Sequence, residues 1–229
     1  MSPTSMRLAL ALLALVLAPR LHAQETLSFQ PGGPAACAKA LNRTVSTDFD
    51  AAFNDACLKR DLTLEQARFD ALSKDMEAAR PELQVAFNAV TATFAAFRDA
   101  HAATEVCRSG PRCAWEQRFE PATMNFRFLL IAERRMTPVT ATADDLTAAD
   151  AALNIVYQKR WKTLPVTCRP SNANCVPQSS LLDTQRDWIR YRDAWLTYAT
   201  LRWPRVTSES WLTYLTRQRT EQIQAAFPT

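Results

Sequence analysis

Glycine is almost missing from this chain: of 229 residues, Gly32, Gly33 and Gly110 are the three that occur. Tight hairpins draw on glycine for positive φ, so a sheet protein built from short hairpins is excluded. Histidine is nearly as scarce, with His22 and His101 alone. A lone histidine in the mature chain is more naturally a packed residue than a general base, and a His/Cys metal site has little to draw on. There is no G-x-S-x-G, no phosphate-binding glycine loop and no H-E-x-x-H. Asp144-Asp145 resembles a carboxylate pair for glycan cleavage, but acids at a helix start are explained by the helix dipole. Excess charge is lacking as well, with 27 basic residues against 23 acidic ones. Nucleic-acid binding needs a basic stripe, so it is not expected. The expectation is a protein that is not an enzyme and holds no cofactor or metal.

What is present begins with a secretory signal over residues 1–23. Arg7 precedes an apolar run from Leu8 to Ala18, too short to span a bilayer, and Leu21-His22-Ala23 offers a cleavage site. Cleavage removes two arginines and no acid, leaving a nearly neutral mature chain. No later stretch is apolar enough to cross a membrane, so a periplasmic or secreted location without membrane insertion is expected. Residues 24–36, with Pro31, Gly32, Gly33 and Pro34, read as a flexible lead-in. Six cysteines behind a signal indicate disulfides. Cys107 with Cys113, and Cys168 with Cys175, are spaced as staples across turns, which leaves Cys37 with Cys57. Their spacing does not by itself fix the pairing.

The rest reads as all-α. Helices are expected at Ser46–Arg60, at Thr63–Ala79 with a Thr63/Gln66 capping box, and from Pro81 to about Val106. Others follow at Trp115–Met136 with a break near Pro121, at Ala143–Leu164, at Gln178–Trp203, and from Thr207 or Ser208 to about Ala226. In the stretch Leu181–Trp203, Leu181, Gln185, Trp188, Arg192, Trp195 and Ala199 share one face, with Tyr191 and Tyr198 at its flanks. Arg192 is the odd member. It either pins helix to helix, with Trp188 as a cation–π partner, or binds a ligand in a groove.

Phe94, Phe97, Arg98, Asp99 and Ala100 repeat the spacing of Trp188, Tyr191, Arg192, Asp193 and Ala194. This implies two tandem three-helix units with an extra N-terminal helix and disulfide-stapled loops, residues 37–140 and 141–229, each roughly 80–90 residues.

These motifs carry a resemblance. Ala149-Asp150 with Leu153-Asn154 and Tyr157, then Gln185-Arg186-x-Trp188 with Tyr191-Arg192-Asp193, then Leu215-Thr216-x-x-Arg219, are similar to the lysozyme inhibitor LprI-like N-terminal domain family. The second unit carries the pattern in full, the first only its core. The family's cysteine after the Arg-Asp pair is absent here, where Trp195 and Leu196 stand. The resemblance implies an exported helical binding protein whose partner is a lysozyme or another envelope protein. The loop from Cys168 to Cys175, presenting Arg169, Ser171 and Asn172, is the candidate binding loop. The alternative is a structural or accessory envelope protein without inhibitory action.

Overall fold

The computed structural model describes residues 51–78, 80–106, 111–133, 137–169, 172 and 175–226. Among them are six helices and no strand: α1 (Ala51–Glu77), α2 (Pro81–Thr104), α3 (Pro111–Ala132), α4 (Ala143–Thr163), α5 (Gln178–Arg202) and α6 (Ser208–Ala226). Residues from Leu58 onward form one compact unit, and Ala51–Cys57 fall to the unit before it. The expected signal, the lead-in, Cys37, Cys107 and Ser171 lie outside the described residues, as does the side chain of Cys113.

Two expected breaks are absent. The helices expected on either side of Thr63 are one helix, α1, whose sequence contains neither glycine nor proline. Thr63 does not cap: its hydroxyl donates to the Lys59 carbonyl one turn back (3.0 Å), and Gln66 donates to Asp70 (2.9 Å). Likewise α3 runs through Pro121, although an interior proline costs about 3 kcal/mol. The turns after Pro121 bury Ala122, Met124, Phe128 and Leu129, and that packing offsets the lost backbone bond.

Other boundaries follow their local chemistry. Pro81 opens α2 at a position where its missing N–H costs nothing. Thr142 caps α4 by accepting from the Asp145 N–H, while the Asp145 carboxylate accepts from the Thr142 N–H at 2.9 Å. Those bonds hold the exposed Asp145 carboxyl below its ordinary pKa. Thr207 caps α6 through the Ser210 N–H, and the Ser210 hydroxyl accepts from the Ala141 N–H, tying the linker to the start of α6.

The core is an antiparallel pair, α2 against α5. Phe87 lies against Tyr198, and Phe97 against Tyr191. On α2 the buried residues Leu83, Phe87, Val90, Phe94, Phe97 and His101 alternate four- and three-residue steps. On α5 the series is Leu181, Thr184, Trp188, Tyr191, Trp195 and Tyr198. This 3.5-residue period is what lets two helices stay in register along their length. Tyr191 and Tyr198 therefore lie at the centre of the seam rather than at its flanks, and Arg192 lies at its edge. Around this pair, α4 packs along α6, α3 meets α2, and α6 meets α5. Trp195, Trp203 and Trp211 cluster with ring centroids 5.1–6.2 Å apart, and all three are buried.

Candidate functional site

The loop between α4 and α5 is closed by a disulfide between Cys168 and Cys175, with Cα atoms 5.6 Å apart. Cys57 is also disulfide-bonded, and no cysteine among the described residues is free. The loop has a firm base. Leu164, Val176 and Leu181 are buried together, with Tyr157 and Trp161 packed against them. Gln178 fastens both strands of the base. Its N–H donates to the Pro165 carbonyl (2.9 Å), and its side-chain amide donates to the Trp161 and Leu164 carbonyls at 3.1 and 3.2 Å. Those last carbonyls of α4 would otherwise lack intrahelical partners. Above the base, the Asn172 N–H donates to the Arg169 carbonyl (2.9 Å), and the Cys175 N–H to the Asn172 carbonyl (3.1 Å). The side chains of Arg169 and Asn172 are exposed, and Val166 is 73% exposed beside them.

A second feature is a groove among α2, α3, α5 and α6. Phe94, Phe97, Trp188 and Tyr191 form its buried part, and Arg127, Gln218 and Gln222 are half-buried at its edge. It encloses about 30 Å³.

The third is a buried ionic cluster. Glu105, the residue that ends α2, receives both terminal nitrogens of Arg219 from α6, at 2.5 and 2.6 Å. Both side chains are fully buried. Arg219 also donates through Nε to the Gln185 side-chain oxygen on α5 (3.0 Å), and its guanidinium carbon lies 5.3 Å from the Phe97 ring centroid. His101 places Nδ1 2.6 Å from Glu105, and Nε2 3.7 Å from Glu120 on α3. Burial by itself would raise the Glu105 carboxyl, but the Arg219 charge and its hydrogen bonds outweigh this and hold it down to about 2. Burial would lower His101, yet the two carboxylates facing it raise it above the ordinary imidazole value.

Arg192 is partly exposed, and its contacts are local. Its Nε and Nη2 donate to Asp193 at 2.9 and 2.8 Å, and its guanidinium stacks 5.3 Å from the Trp188 ring centroid. Arg98 is held in the same way by Asp99, and it reaches Asn125 at 2.9 Å. Neither arginine lines the groove. Among these side chains the groove gathers Phe94, Phe97, Trp188 and Tyr191, while Arg98, Asp99, Arg192, Asp193 and the loop residues lie apart from it.

Residues 131–223 match the family model described as Lysozyme inhibitor LprI. This segment belongs to the LprI family. No curated protein and no solved structure matches the chain. The LprI segment runs from the end of α3 through most of α6, and so contains the whole stapled loop, Gln185 and Arg219. Glu105 and His101, which complete the ionic cluster, lie before it. The cluster thus anchors the LprI segment to α2. Among the described residues no helix is long and apolar enough to cross a membrane, and no group of acidic, histidine and cysteine side chains could hold a metal ion.

Proposed function

We propose that this chain is an exported helical binding protein that inhibits a lysozyme, and that the disulfide-closed loop between α4 and α5 is the part that docks. The observation that carries this reading is the position of the stapled loop within the LprI segment. Its base is fixed by Gln178 and by the Leu164, Val176 and Leu181 contact, so little loop entropy is lost on docking. Its exposed Arg169 supplies a planar cation. A lysozyme cleft carries a pair of catalytic carboxylates, the group that a guanidinium fork fits best. Export rests on the charged and apolar pattern of residues 1–23.

The arrangement as two related units, 37–140 and 141–229, is part of the same proposal. It is supported by the stacking of Phe97 on Tyr191, two residues that occupy equivalent places in the repeated motif, with centroids 5.8 Å apart and rings 12° from parallel.

The test is clearing of bacterial cell walls by c-type and g-type lysozymes in the presence of the purified mature protein. Slowed clearing that is relieved by Arg169→Ala supports the reading. Unchanged rates at molar excess, with an envelope protein and no lysozyme retained on the immobilised chain, would replace it with the accessory role.

A further inference from the structure

We propose that the docking surface continues from the stapled loop onto the outer side of α4, and that the partner it fits is a lysozyme whose cleft has an acidic rim. This rests on the inhibitor reading and adds to it the extent of the surface and the charge of the partner.

Helix geometry sets the surface. Ala149 and Leu153 are buried on the inner side of α4. Ile155, Lys159 and Lys162, at four- and three-residue steps, share the opposite side, and all three are exposed. They cover about 10 Å of the helix axis at 1.5 Å per residue. The chain then passes Leu164, whose carbonyl Gln178 holds, and presents Val166 and Arg169, both exposed. Ile155 is 70% exposed and Val166 73%, and among the described large apolar side chains Val139 alone is more exposed.

Charge sets the partner. Residues 151–182 contain no aspartate and no glutamate. Other exposed cations of the LprI segment have a carboxylate: Arg186 has Asp183, Arg190 has Asp187 and Arg217 has Asp145. Lys159, Lys162 and Arg169 have none among the described residues. Asp144 is the acid on the same side of α4, fifteen residues before Lys159. That is about 22 Å away, well beyond the roughly 8 Å over which physiological salt screens a charge. A lone exposed lysine is merely solvated. A row of cations with no acid nearby, set among bare aliphatic side chains, instead joins a positive field to an apolar contact, and its complement is an acidic rim around an apolar-walled cleft. An anionic membrane fits less well. Three cations fall short of the clusters of about 4–8 by which anionic headgroups are recognised. One isoleucine and one valine bury less hydrocarbon than a myristoyl chain, which by itself holds a membrane only marginally.

The test is the rate of association and dissociation of the mature protein on an immobilised lysozyme of net negative charge and on one of net positive charge. Association with the acidic lysozyme is expected to be at least about tenfold faster at low salt, and the advantage to shrink as salt rises. Lys159→Ala with Lys162→Ala should slow that association about three- to tenfold and flatten its salt dependence, with the melting temperature unchanged because both side chains are exposed. Ile155→Gln should instead speed dissociation several-fold. If the wild-type chain binds neither lysozyme, the inhibitor reading falls and this surface falls with it. If it binds both alike, or if the α4 variants keep wild-type rates while Arg169→Ala does not, the α4 surface alone is overturned. Lysine-dependent binding to phosphatidylglycerol vesicles, with lysozyme rates untouched by the same substitutions, would also overturn it and assign this side of α4 to lipid.

Discussion

Arg219 and Glu105 face each other across the interior as a two-pronged ion pair with no solvent exposure on either side chain. They are 114 positions apart in the chain, so the pair joins the end of α2 to the middle of α6. Removing one partner leaves a buried uncompensated charge. Arg219→Met or Glu105→Leu is expected to cost about 3–5 kcal/mol in urea unfolding. The double substitution should cost less than the sum of the singles, because neither member of the pair is then left charged without the other. Lysine at 219 should not rescue, since one ammonium cannot serve Glu105 and Gln185 with the same geometry.

The same cluster sets an expectation for pH. The folded-state value of Glu105 is depressed, so its contribution is present above the ordinary carboxylate range and is lost as pH falls toward about 2. His101 has the opposite sign. Its folded value is raised, so its contribution is complete below the unfolded imidazole value near 6.5 and is lost as pH rises through the higher folded one. The melting temperature should therefore decline on the alkaline side of neutrality, and His101→Gln should flatten that limb while leaving the acid limb in place. A decline that persists in the variant would assign it to another group.

The loop disulfide spans a sequence separation of seven residues. Closing so short a loop restricts the unfolded chain modestly, by about 2–3 kcal/mol on a chain-entropy estimate. A Cys168→Ser, Cys175→Ser double variant should lose that much stability or less in chemical denaturation. Its helix content should be unchanged by circular dichroism. Inhibition of lysozyme should weaken by more than the stability change explains, because the tip loses its fixed shape.

Trp195 and Arg192 lie three residues apart on α5 and should answer very differently to alanine. Trp195 is fully buried, so Trp195→Ala is expected to cost about 3–5 kcal/mol. Arg192 is partly exposed, with a neighbouring aspartate and one tryptophan face, so Arg192→Ala should cost about 1 kcal/mol or less. Thermal unfolding of the two variants, side by side, checks the ranking.

The all-α class, the proline that opens α2, the linker before α4 and the stapled loop were legible from glycine scarcity, proline placement and cysteine spacing. Helix continuity through Thr63 and Pro121 was not. A T-x-x-Q pattern reads as a cap in isolation, and only the packing of Leu58, Leu72 and Met76 on one continuous helix decides otherwise. The buried cation was partly legible. The argument that singles out Arg192, a guanidinium on an apolar face, applies more strongly to Arg219, which stands four residues from both Leu215 and Ile223, each buried. Its acceptor was not legible. Glu105 follows a helix of mostly small and aromatic residues, and nothing local points it toward α6.

Gln178 holds the foot of the α4–α5 loop through three contacts that involve none of the residues between the two cysteines. The segment above it is thus a replaceable cassette. Foreign sequences of similar length could be grafted between Cys168 and Cys175 without refolding the bundle, and the target that this scaffold recognises could change while its frame stays the same.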